Sequence, residues 1–260
     1  MTGEIHKLMQ KKILVIDIGG THVKVLASGH KERVEISSGP SLTPAKMVSA
    51  VRAATADWSY DVVSIGYPGP VLHGRPISEP QHLGHGWMEF DFSEAFDRRP
   101  VKLLNDAAMQ ALGSYQGKCM LFLGVGTGLG SALIIDGVLA PMELAHLPYR
   151  KGRSFEEYVG LAGLKRMGKR KWRRHVHAVI QLLMTALEAD YVVVGGGNAK
   201  LLKHLPAGAY LGNNFNAFRG GYRLWSRART RPSIARFGDE PAASKTIAES
   251  SRLPPPRTSA

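Results

Sequence analysis

The stretch Lys12-Ile13-Leu14-Val15-Ile16-Asp17-Ile18-Gly19-Gly20-Thr21 decides the fold class, because it takes an apolar strand directly into a carboxylate and a tight glycine turn. Paired glycines let the backbone turn sharply and bring bare N–H groups near an anion, and Thr21 adds a hydroxyl donor. Many folds hold a metal-bound phosphate at such a strand end. A hairpin with its turn capped by Asp17 fits the same residues, so this stretch alone leaves both interpretations open.

Two further glycine turns follow apolar strands. The strand 120–123 runs into Gly124-Val125-Gly126-Thr127-Gly128-Leu129-Gly130 and then into a second strand, which is not the strand-turn-helix context of a dinucleotide fingerprint. The strand 191–194 runs into Gly195-Gly196-Gly197-Asn198 and a predicted helix 199–204, a geometry that suits an anion or a nucleotide. Three such turns in one chain predict a site built between two similar halves.

The candidate for chemistry lies between the first two turns. The strand Val101-Lys102-Leu103-Leu104 ends at Asn105-Asp106, and a helix is predicted from Ala107, so Asp106 would stand at the carboxyl edge of a sheet. Asp also caps helices well, and the two roles can coexist. Phosphoryl transfer to a hydroxyl needs a carboxylate that accepts the proton and cations that hold the phosphates in line. Asp106 fits the first of these needs.

Taken together, these segments resemble the ROK family of sugar kinases, and within it the polyphosphate glucokinases. The resemblance runs over about residues 12–225 and rests on four motifs in order: 17–21, Gly66-Tyr67-Pro68-Gly69-Pro70, Asn105-Asp106-Ala107 and 124–130. It implies an α/β fold of two actin-like (ribonuclease H-like) lobes with a sugar cleft between them. The expected N-terminal lobe is 1–106, and the expected C-terminal lobe is 107–226, with a terminal helix that packs back.

The resemblance also implies a role for each matching residue. Asp106 would be the general base for the sugar hydroxyl, and Asp17 would hold Mg²⁺, directly or through a water. The expected sugar-binding residues are Asn105, Glu143, His146, Glu156 and Gly69. The expected donor-phosphate residues are Asp17, Gly19, Gly20, Thr21, Gly126, Thr127, Gly128, Gly195, Gly196 and Gly197.

Two departures from the family pattern bear on the sugar. The segment Glu143-Leu144-Ala145-His146 is similar to the family's E-x-G-H, but Ala145 stands where glycine is expected, which adds a methyl group that we expect close to the sugar. Near position 80, where many relatives carry a sugar-binding Asn, this chain has Gln81-His82. Both departures lie in the expected sugar pocket, and neither touches the phosphate motifs.

The implied function is transfer of a phosphoryl group from polyphosphate, or also from ATP, to the 6-hydroxyl of glucose or a similar hexose, with Mg²⁺ as cofactor. One alternative is an ATP-dependent ROK hexokinase for glucose, mannose or an N-acetylated hexosamine, favoured if 195–198 forms an adenosine pocket. Another is a sugar-binding regulator that has lost catalysis. A homodimer is a further expectation from relatives, although the sequence marks no dimer surface.

The net charge of +13 is concentrated in residues 150–174. The basic residues of this segment are Arg150, Lys151, Arg153, Lys165, Arg166, Lys169, Arg170, Lys171, Arg173 and Arg174. Like charges at this density repel unless a polyanion or counterions lie nearby, although a solvated helical face is the ordinary explanation. Polyphosphate is the polyanion that the resemblance suggests. Nucleic acid is the weaker alternative: Trp172 lies among the basic residues, but no nucleic-acid-binding motif is evident.

Composition limits the remaining possibilities. A chain of 260 residues with 44% hydrophobic content suits one large or two modest cores. We expect no secretory signal and no membrane span, and therefore a cytoplasmic protein. Cys119 is the single cysteine, so the chain cannot build the cysteine-rich zinc site of many ROK proteins. Residues 227–260 are rich in Arg, Ser, Ala and Pro, which predicts a disordered tail.

Overall fold

The computed structural model describes residues 11–213 and 215–225. Up to residue 105, the strands are β1 (Ile13–Ile18), β2 (His22–Ala27), β3 (Val34–Ser37), β4 (Val62–Tyr67), β5 (Val71–Leu72), β6 (Arg75–Pro76) and β7 (Val101–Asn105). The helices in this part are α1 (Pro44–Ala54) and α2 (Phe92–Ala95). Strands β5 and β6 form a small ribbon, and the other five strands form one sheet in the order β3-β2-β1-β4-β7.

The second half forms its own sheet. Its strands are β8 (Cys119–Val125), β9 (Leu129–Ile135), β10 (Val138–Met142), β11 (Pro148–Arg150), β12 (Arg153–Ser154), β13 (Tyr191–Gly195) and β14 (Ala209–Leu211). Its helices are α3 (Asp106–Ser114), α4 (Phe155–Val159), α5 (Leu161–Ala186) and α6 (Asn216–Arg223). Short 3₁₀ turns cover Leu144–His146 and Ala199–Leu201. The sheet order is β10-β9-β8-β13-β14, and β11 pairs with β12 in a separate hairpin.

The two sheets share one topology. In each sheet the first three strands along the chain pair antiparallel, and the central strand then pairs parallel with the fourth, which pairs parallel with the fifth. Asp17 in β1 faces Gly66 in β4, and Gly124 in β8 faces Gly195 in β13. This repeat is the arrangement expected for two actin-like lobes, and it gives Gly124 the position in the second sheet that Asp17 has in the first.

Burial follows from this layering. The central strand β1 is almost fully buried, as expected for a strand with parallel and antiparallel neighbours and helices over the sheet. The Thr43-Pro44 pair predicts a helix from Pro44 to about Trp58. Helix α1 does begin there, with Pro44 in the first turn and the Thr43 hydroxyl accepting from Lys46 N–H at 3.4 Å, but it ends at Ala54.

Helix α6 packs back on the first sheet, as the sequence predicted for a terminal helix. Its Ala217 and Phe218 share a core with Val15 of β1. The Ser64 hydroxyl of β4 donates to the Gly221 carbonyl at 2.8 Å and accepts from the Trp225 indole at 2.9 Å. These contacts join the end of the described chain to the first half.

Helices α3 and α6 cross at van der Waals contact through two glycines. A Cβ at Gly113 would lie 1.8 Å from the Asn216 carbonyl oxygen, and one at Gly220 would lie 1.8 Å from the Met109 carbonyl oxygen. No side chain fits between the two backbones. Because α3 also packs on the second sheet, this crossing couples the two halves.

Some predicted elements differ from the structure. The predicted helix 199–204 is a single 3₁₀ turn that ends at Leu201. The sequence also predicts two helices over 155–188 with a break near Gly168, and the Gly168 φ of 72° confirms that break. A further break lies at Gly160, where the backbone is extended between α4 and α5. The predicted disordered tail at 227–260 lies outside the described residues. Among the helices that are described, none is both long and apolar enough to cross a membrane.

Candidate functional site

Asp17 lies half-buried at the end of β1 and begins the first glycine turn. Burial raises the pKa of its carboxyl, and the positive charges of Lys24 and Arg33 act against that rise. The turn closes through Gly19 N–H, which donates to the His22 carbonyl at 3.0 Å. The hairpin interpretation therefore holds for the backbone, since β1 and β2 pair antiparallel across this turn, and it places a carboxylate at the strand end as well.

Asn105 and Asp106 lie at the end of β7, where α3 begins. Asn105, not Asp106, is the N-cap: its side-chain oxygen accepts from Ala108 N–H at 3.1 Å. Its amide group donates to the Gly69 carbonyl at 3.0 Å, so both ends of the Asn105 side chain are held by protein. Asp106 occupies the first helical position, and one of its oxygens accepts from Ala107 N–H at 2.7 Å. These bonds fix the orientation of the Asp106 carboxyl.

Asp106 has a strongly perturbed acidic group. Burial, together with the negative charges of Asp17 and Glu143, raises the pKa of Asp106 to about 7, against the opposing hydrogen bond from Ala107 N–H. The electrostatic contacts show that three segments of the chain bring their carboxyl groups into one site: β1, the start of α3 and the residue after β10. A raised pKa in such a cluster is typical of a functional site.

Glu143 and His146 flank the 3₁₀ turn after β10. The Glu143 side chain reaches the surface. Its pKa is nevertheless raised, mainly by partial burial; the nearby His146 acts to lower this pKa, and the negative charge of Glu156 acts to raise it. The predicted sugar-binding residues Glu143, His146 and Glu156 therefore lie within electrostatic reach of one another. Ala145, expected close to the sugar, is only 3% exposed and packs in the second hydrophobic core, so its methyl group fills protein space.

Glu156 on α4 contacts the second glycine turn. Its Oε2 accepts from Leu129 N–H at 3.1 Å, and a Cβ at Gly128 would lie 2.2 Å from the same oxygen. Position 128 thus has to be glycine while Glu156 keeps this conformation. Around Gly126, by contrast, nothing lies within 4 Å of the place that a Cβ would take, and Thr127 is exposed. The open side of this turn is free for a ligand.

The third glycine turn is bound directly to the second. Asn198 donates from its side-chain amide to the Gly126 carbonyl at 2.8 Å and from its backbone N–H to the Val125 carbonyl at 2.9 Å. A Cβ at Gly196 would meet the Val125 backbone at 2.7 Å, so the two turns lie in contact. Sequence reasoning named the glycines but assigned no role to Asn198, although its place directly after three glycines was the available signal.

Loop residues 67–88 contact the first turn and the sheet. His82 is exposed and packs its ring and Cβ against Gly20, at 3.4 to 4.0 Å from a Cβ position there. Trp87 is fully buried, with its indole N–H donating to the Gly84 carbonyl at 2.7 Å. Trp87 therefore has a packing role, as its sequence context favours, and both Gly69 and His82 of this loop reach the site.

The described residues also bear on two other ligands, a metal ion held by protein side chains alone and nucleic acid. Within the two described ranges, no group of three or more His, Cys, Asp and Glu side chains is arranged to hold a metal ion. Trp172 is fully buried, and its indole donates to the Val159 carbonyl at 2.7 Å, so its ring cannot stack on a nucleobase. The nucleic-acid alternative thereby loses the aromatic residue that supported it.

Comparison with known proteins agrees with this geometry. The ROK family profile matches residues 13–141. The polyphosphate glucokinase of Mycobacterium tuberculosis (strain CDC 1551 / Oshkosh) is 25% identical over 203 residues, which are 70% of this chain and 76% of that protein. Among solved structures, the inorganic polyphosphate/ATP-glucomannokinase from Arthrobacter sp. strain KM has a TM-score of 0.66 at 25% identity, covering 82% of this chain and 97% of that one.

The ROK family glucokinase from Streptomyces griseus, solved in complex with glucose and AMPPNP, gives the same TM-score of 0.66 at 16% identity, over 82% of this chain and 98% of that one. At that identity the likeness concerns the fold alone. These neighbours, together with the repeated sheet topology, confirm the expected fold of two actin-like lobes. The chain contains a ROK family domain, matched over residues 13–141, and it is similar to ROK sugar kinases over most of its length.

Proposed function

We propose that the protein transfers a phosphoryl group from polyphosphate, or from ATP, to the 6-hydroxyl of glucose. One observation carries the proposal: Asp106 stands at a strand end among Asp17 and Glu143, with its pKa raised to about 7. A carboxyl group with this pKa takes up a proton near neutral pH more readily than an ordinary Asp. The similarity of the chain to polyphosphate glucokinases and to a polyphosphate/ATP-glucomannokinase supports polyphosphate or ATP as the donor and glucose as the sugar.

In this proposal Asp106 is the general base. The hydrogen bond from Ala107 N–H holds one carboxyl oxygen, and Asn105, held to Gly69, fixes the start of the helix behind it. The carboxyl is thus positioned to accept the proton of the sugar hydroxyl as that hydroxyl attacks the terminal phosphate of the donor. Such a positioned base contributes about 10²- to 10⁴-fold to turnover.

The donor phosphates are proposed to lie between the glycine turns. Gly19, Gly20 and Thr21 would face them from the first half, and Gly126 and Thr127 from the second. Backbone N–H groups in such turns form a concave site for an anion. Asn198 supports the second turn by its bond to the Gly126 carbonyl, and through it residues 195–197 would reach the donor.

Mg²⁺ is part of the proposal, with Asp17 as its protein ligand. Mg²⁺ characteristically takes one or two protein carboxylates together with substrate phosphates, and when bound it neutralises charge that develops on the donor. The residues fit this requirement: Asp17 is a strand-end carboxylate beside Asp106, and burial raises its pKa, as expected for an acidic group awaiting a cation. Lys24 and Arg33 supply part of the opposing charge in the protein itself.

The sugar is proposed to bind against Glu143, His146 and Glu156, with Asn105 and Gly69 at the other side. Carboxylate and imidazole groups can accept from or donate to sugar hydroxyls. Both hydrogen-bonding ends of Asn105 are already used within the protein, so its contribution to sugar binding would have to replace or share one of these bonds.

The test is formation of glucose 6-phosphate by purified protein with Mg²⁺, run in parallel with long-chain polyphosphate and with ATP. Product mainly from polyphosphate would support the proposal in full. Product only from ATP would leave the kinase and remove polyphosphate as donor. Sugar binding without turnover from either donor would contradict the proposal in favour of the regulator.

A second candidate is an ATP-dependent hexokinase acting on glucose, mannose or an N-acetylated hexosamine. The observation that favours it is the direct bond between the second and third turns, which supports a role for residues 195–198 in donor binding. Turnover with mannose or N-acetylmannosamine above that with glucose, with ATP alone, would favour this candidate.

A further inference from the structure

A basic groove of about 360 Å³ lies beside the hairpin that follows the sugar-binding segment. Helix α5 forms one wall, and β11 forms the other. The lining residues are Tyr149, Arg150, Lys171, Arg174, His175 and Ala178. We call this the basic groove.

The sequence builds this groove by helical spacing. One face of α5 carries Lys171 together with the residues three, four and seven positions after it, which are Arg174, His175 and Ala178. The intervening Trp172 and Val176 face the hydrophobic core, which fixes the rotation of the helix. Ala178, with its small side chain, leaves room at the end of the row.

The cations of the groove, Arg150, Lys171 and Arg174, have no carboxylate partner among the described residues. Arg150 lies over the Tyr149 ring, with 5.2 Å from guanidinium to ring centroid. Elsewhere in the basic segment the charge is partly used: Arg153 lies 3.9 Å from Glu157.

His175 reports the positive potential of the groove. Burial, followed by the charges of Arg150, Arg174 and Arg166, lowers the pKa of its imidazole, so the ring is neutral at pH 7. The ring lies 3.3 Å from the Tyr149 hydroxyl through Nδ1, and its face packs against Tyr158 of α4. Every charged neighbour that acts on His175 is therefore a cation.

The groove and the donor turn lie on opposite sides of one short helix. On α4, Glu156 faces Leu129 and Gly128, whereas Tyr158, two residues on, faces His175. Two positions along a helix correspond to about 200° of rotation, and a helix with side chains is about 10 Å across. A flexible chain of phosphates leaving the donor turn would reach the groove by passing around this one short helix.

We propose that the basic groove binds distal phosphates of a polyphosphate chain whose terminal phosphate lies at the donor turn. This inference rests on the proposed function, and it adds a subsite that ATP does not occupy. Inorganic polyphosphate is favoured over nucleic acid because the groove offers several cations and its aromatic rings are already packed within the protein. The Tyr149 ring contacts Phe155, Tyr158, His175 and Arg150, and Trp172 is buried.

The test is calorimetric binding of long-chain polyphosphate and of tripolyphosphate to the full chain, without sugar. The variant is Lys171→Gln/Arg174→Gln, and the matched control is Lys165→Gln/Lys169→Gln, which removes the same charge from exposed positions of the same helix. We expect the groove variant to bind long chains about tenfold or more weakly, as expected when charge-assisted hydrogen bonds are lost, and the control to change by about twofold or less. Circular dichroism checks that both fold.

A second readout follows His175 by NMR. Long-chain polyphosphate bound in the groove would offset the cations around the ring and raise the pKa of His175. Equal loss of affinity in both variants, no loss in the groove variant, or equally groove-dependent binding of a single-stranded DNA oligonucleotide would each overturn the proposal. Binding is measured without turnover, so the two proposals can fail separately. If the protein uses polyphosphate as donor but the groove variant binds polyphosphate as tightly as the wild type, only the subsite is refuted. If the protein forms no product, only the proposed function is refuted.

Discussion

The two halves of the molecule have the same sheet topology but differ in what they place at equivalent strand ends. In the first half, Asp17 faces Lys24 on the neighbouring antiparallel strand and Gly66 on the parallel one. In the second half, the equivalent position is Gly124, which faces Gly130 and Gly195. A charged pair in one sheet is therefore replaced by bare glycine backbone in the other.

The two sheets therefore contribute different chemical groups to the candidate site. The first sheet has carboxyl groups at the ends of two of its strands, Asp17 in β1 and Asp106 directly after β7, whereas the turns of the second sheet present backbone groups. The other acids of the site, Glu143 and Glu156, come from the segment between β10 and α5. The groups proposed to handle protons and cations thus lie mainly at the edge of the first sheet, and the proposed phosphate cradle lies mainly at the second.

The largest expected effect comes from replacing Asp106, the acid that directly follows strand β7 of the first sheet. Asp106→Asn should lower turnover by about 10²- to 10⁴-fold, because the amide cannot accept the proton of the sugar hydroxyl. Steady-state assays of glucose 6-phosphate formation would measure it, with sugar binding by the variant as a control for the fold. Normal turnover in Asp106→Asn would remove Asp106 as the base.

The next largest effect concerns the link between the halves. Gly113→Ala should lower the free energy of unfolding by about 3 kcal/mol, the upper end of overpacking costs, because its Cβ would meet the Asn216 carbonyl oxygen. Urea denaturation would measure the loss. Gly197→Ala is the control, since no atom lies within 4 Å of its Cβ position. Similar stability of the two variants would show that α3 and α6 are free to separate.

A smaller effect should distinguish two glycines of the same turn. Gly128→Ala would displace Glu156 from Leu129 N–H and should raise the KM for glucose about tenfold, since a hydrogen bond to a charged group contributes about 1.5–3 kcal/mol. Gly126→Ala has open space around its Cβ and should leave the KM for glucose unchanged. Equal glucose KM values for both variants would separate Glu156 from sugar binding.

A last effect is on stability as a function of pH, in the absence of metal. The folded-state pKa of Asp106 is about 7 and its ordinary value is 3.8, so the folded protein binds the extra proton and loses stability as pH rises from about 4 to 7. Asp106→Asn, which cannot ionise, should therefore melt at higher temperature than the wild type at pH 8, with a difference that vanishes near pH 4. Parallel melting curves at both pH values would contradict the raised pKa.

Much of this architecture could be predicted from the sequence, because its signals are local. The apolar run before Asp17, the Thr43-Pro44 helix start and the glycine break at 168 each depend on a few neighbouring residues. The family resemblance then supplied the two lobes. Several short strands, including β10 and β14, were not predicted, because their few residues carry weak alternation and depend on partners distant in the chain.

The arrangement of the site was harder to predict than its composition. Asn198 bonding to Gly126, Glu156 pressing on Gly128, and His82 packing on Gly20 all join segments far apart in sequence. Ala145 was expected at the sugar and instead packs in the core, since its neighbours in the 3₁₀ turn fix which way its methyl group faces. Such contacts follow from tertiary packing, which residue spacing does not encode.

Glu156 couples the binding of the two substrates of the proposed reaction. Its Oε2 holds the N–H of Leu129 and lies against Gly128, so a sugar bound to Glu156 and a donor bound at the turn would act on the same carboxylate. Thermodynamic linkage then requires each ligand to change the affinity of the other by the same factor. The sugar would thereby regulate how tightly its own phosphate donor is held.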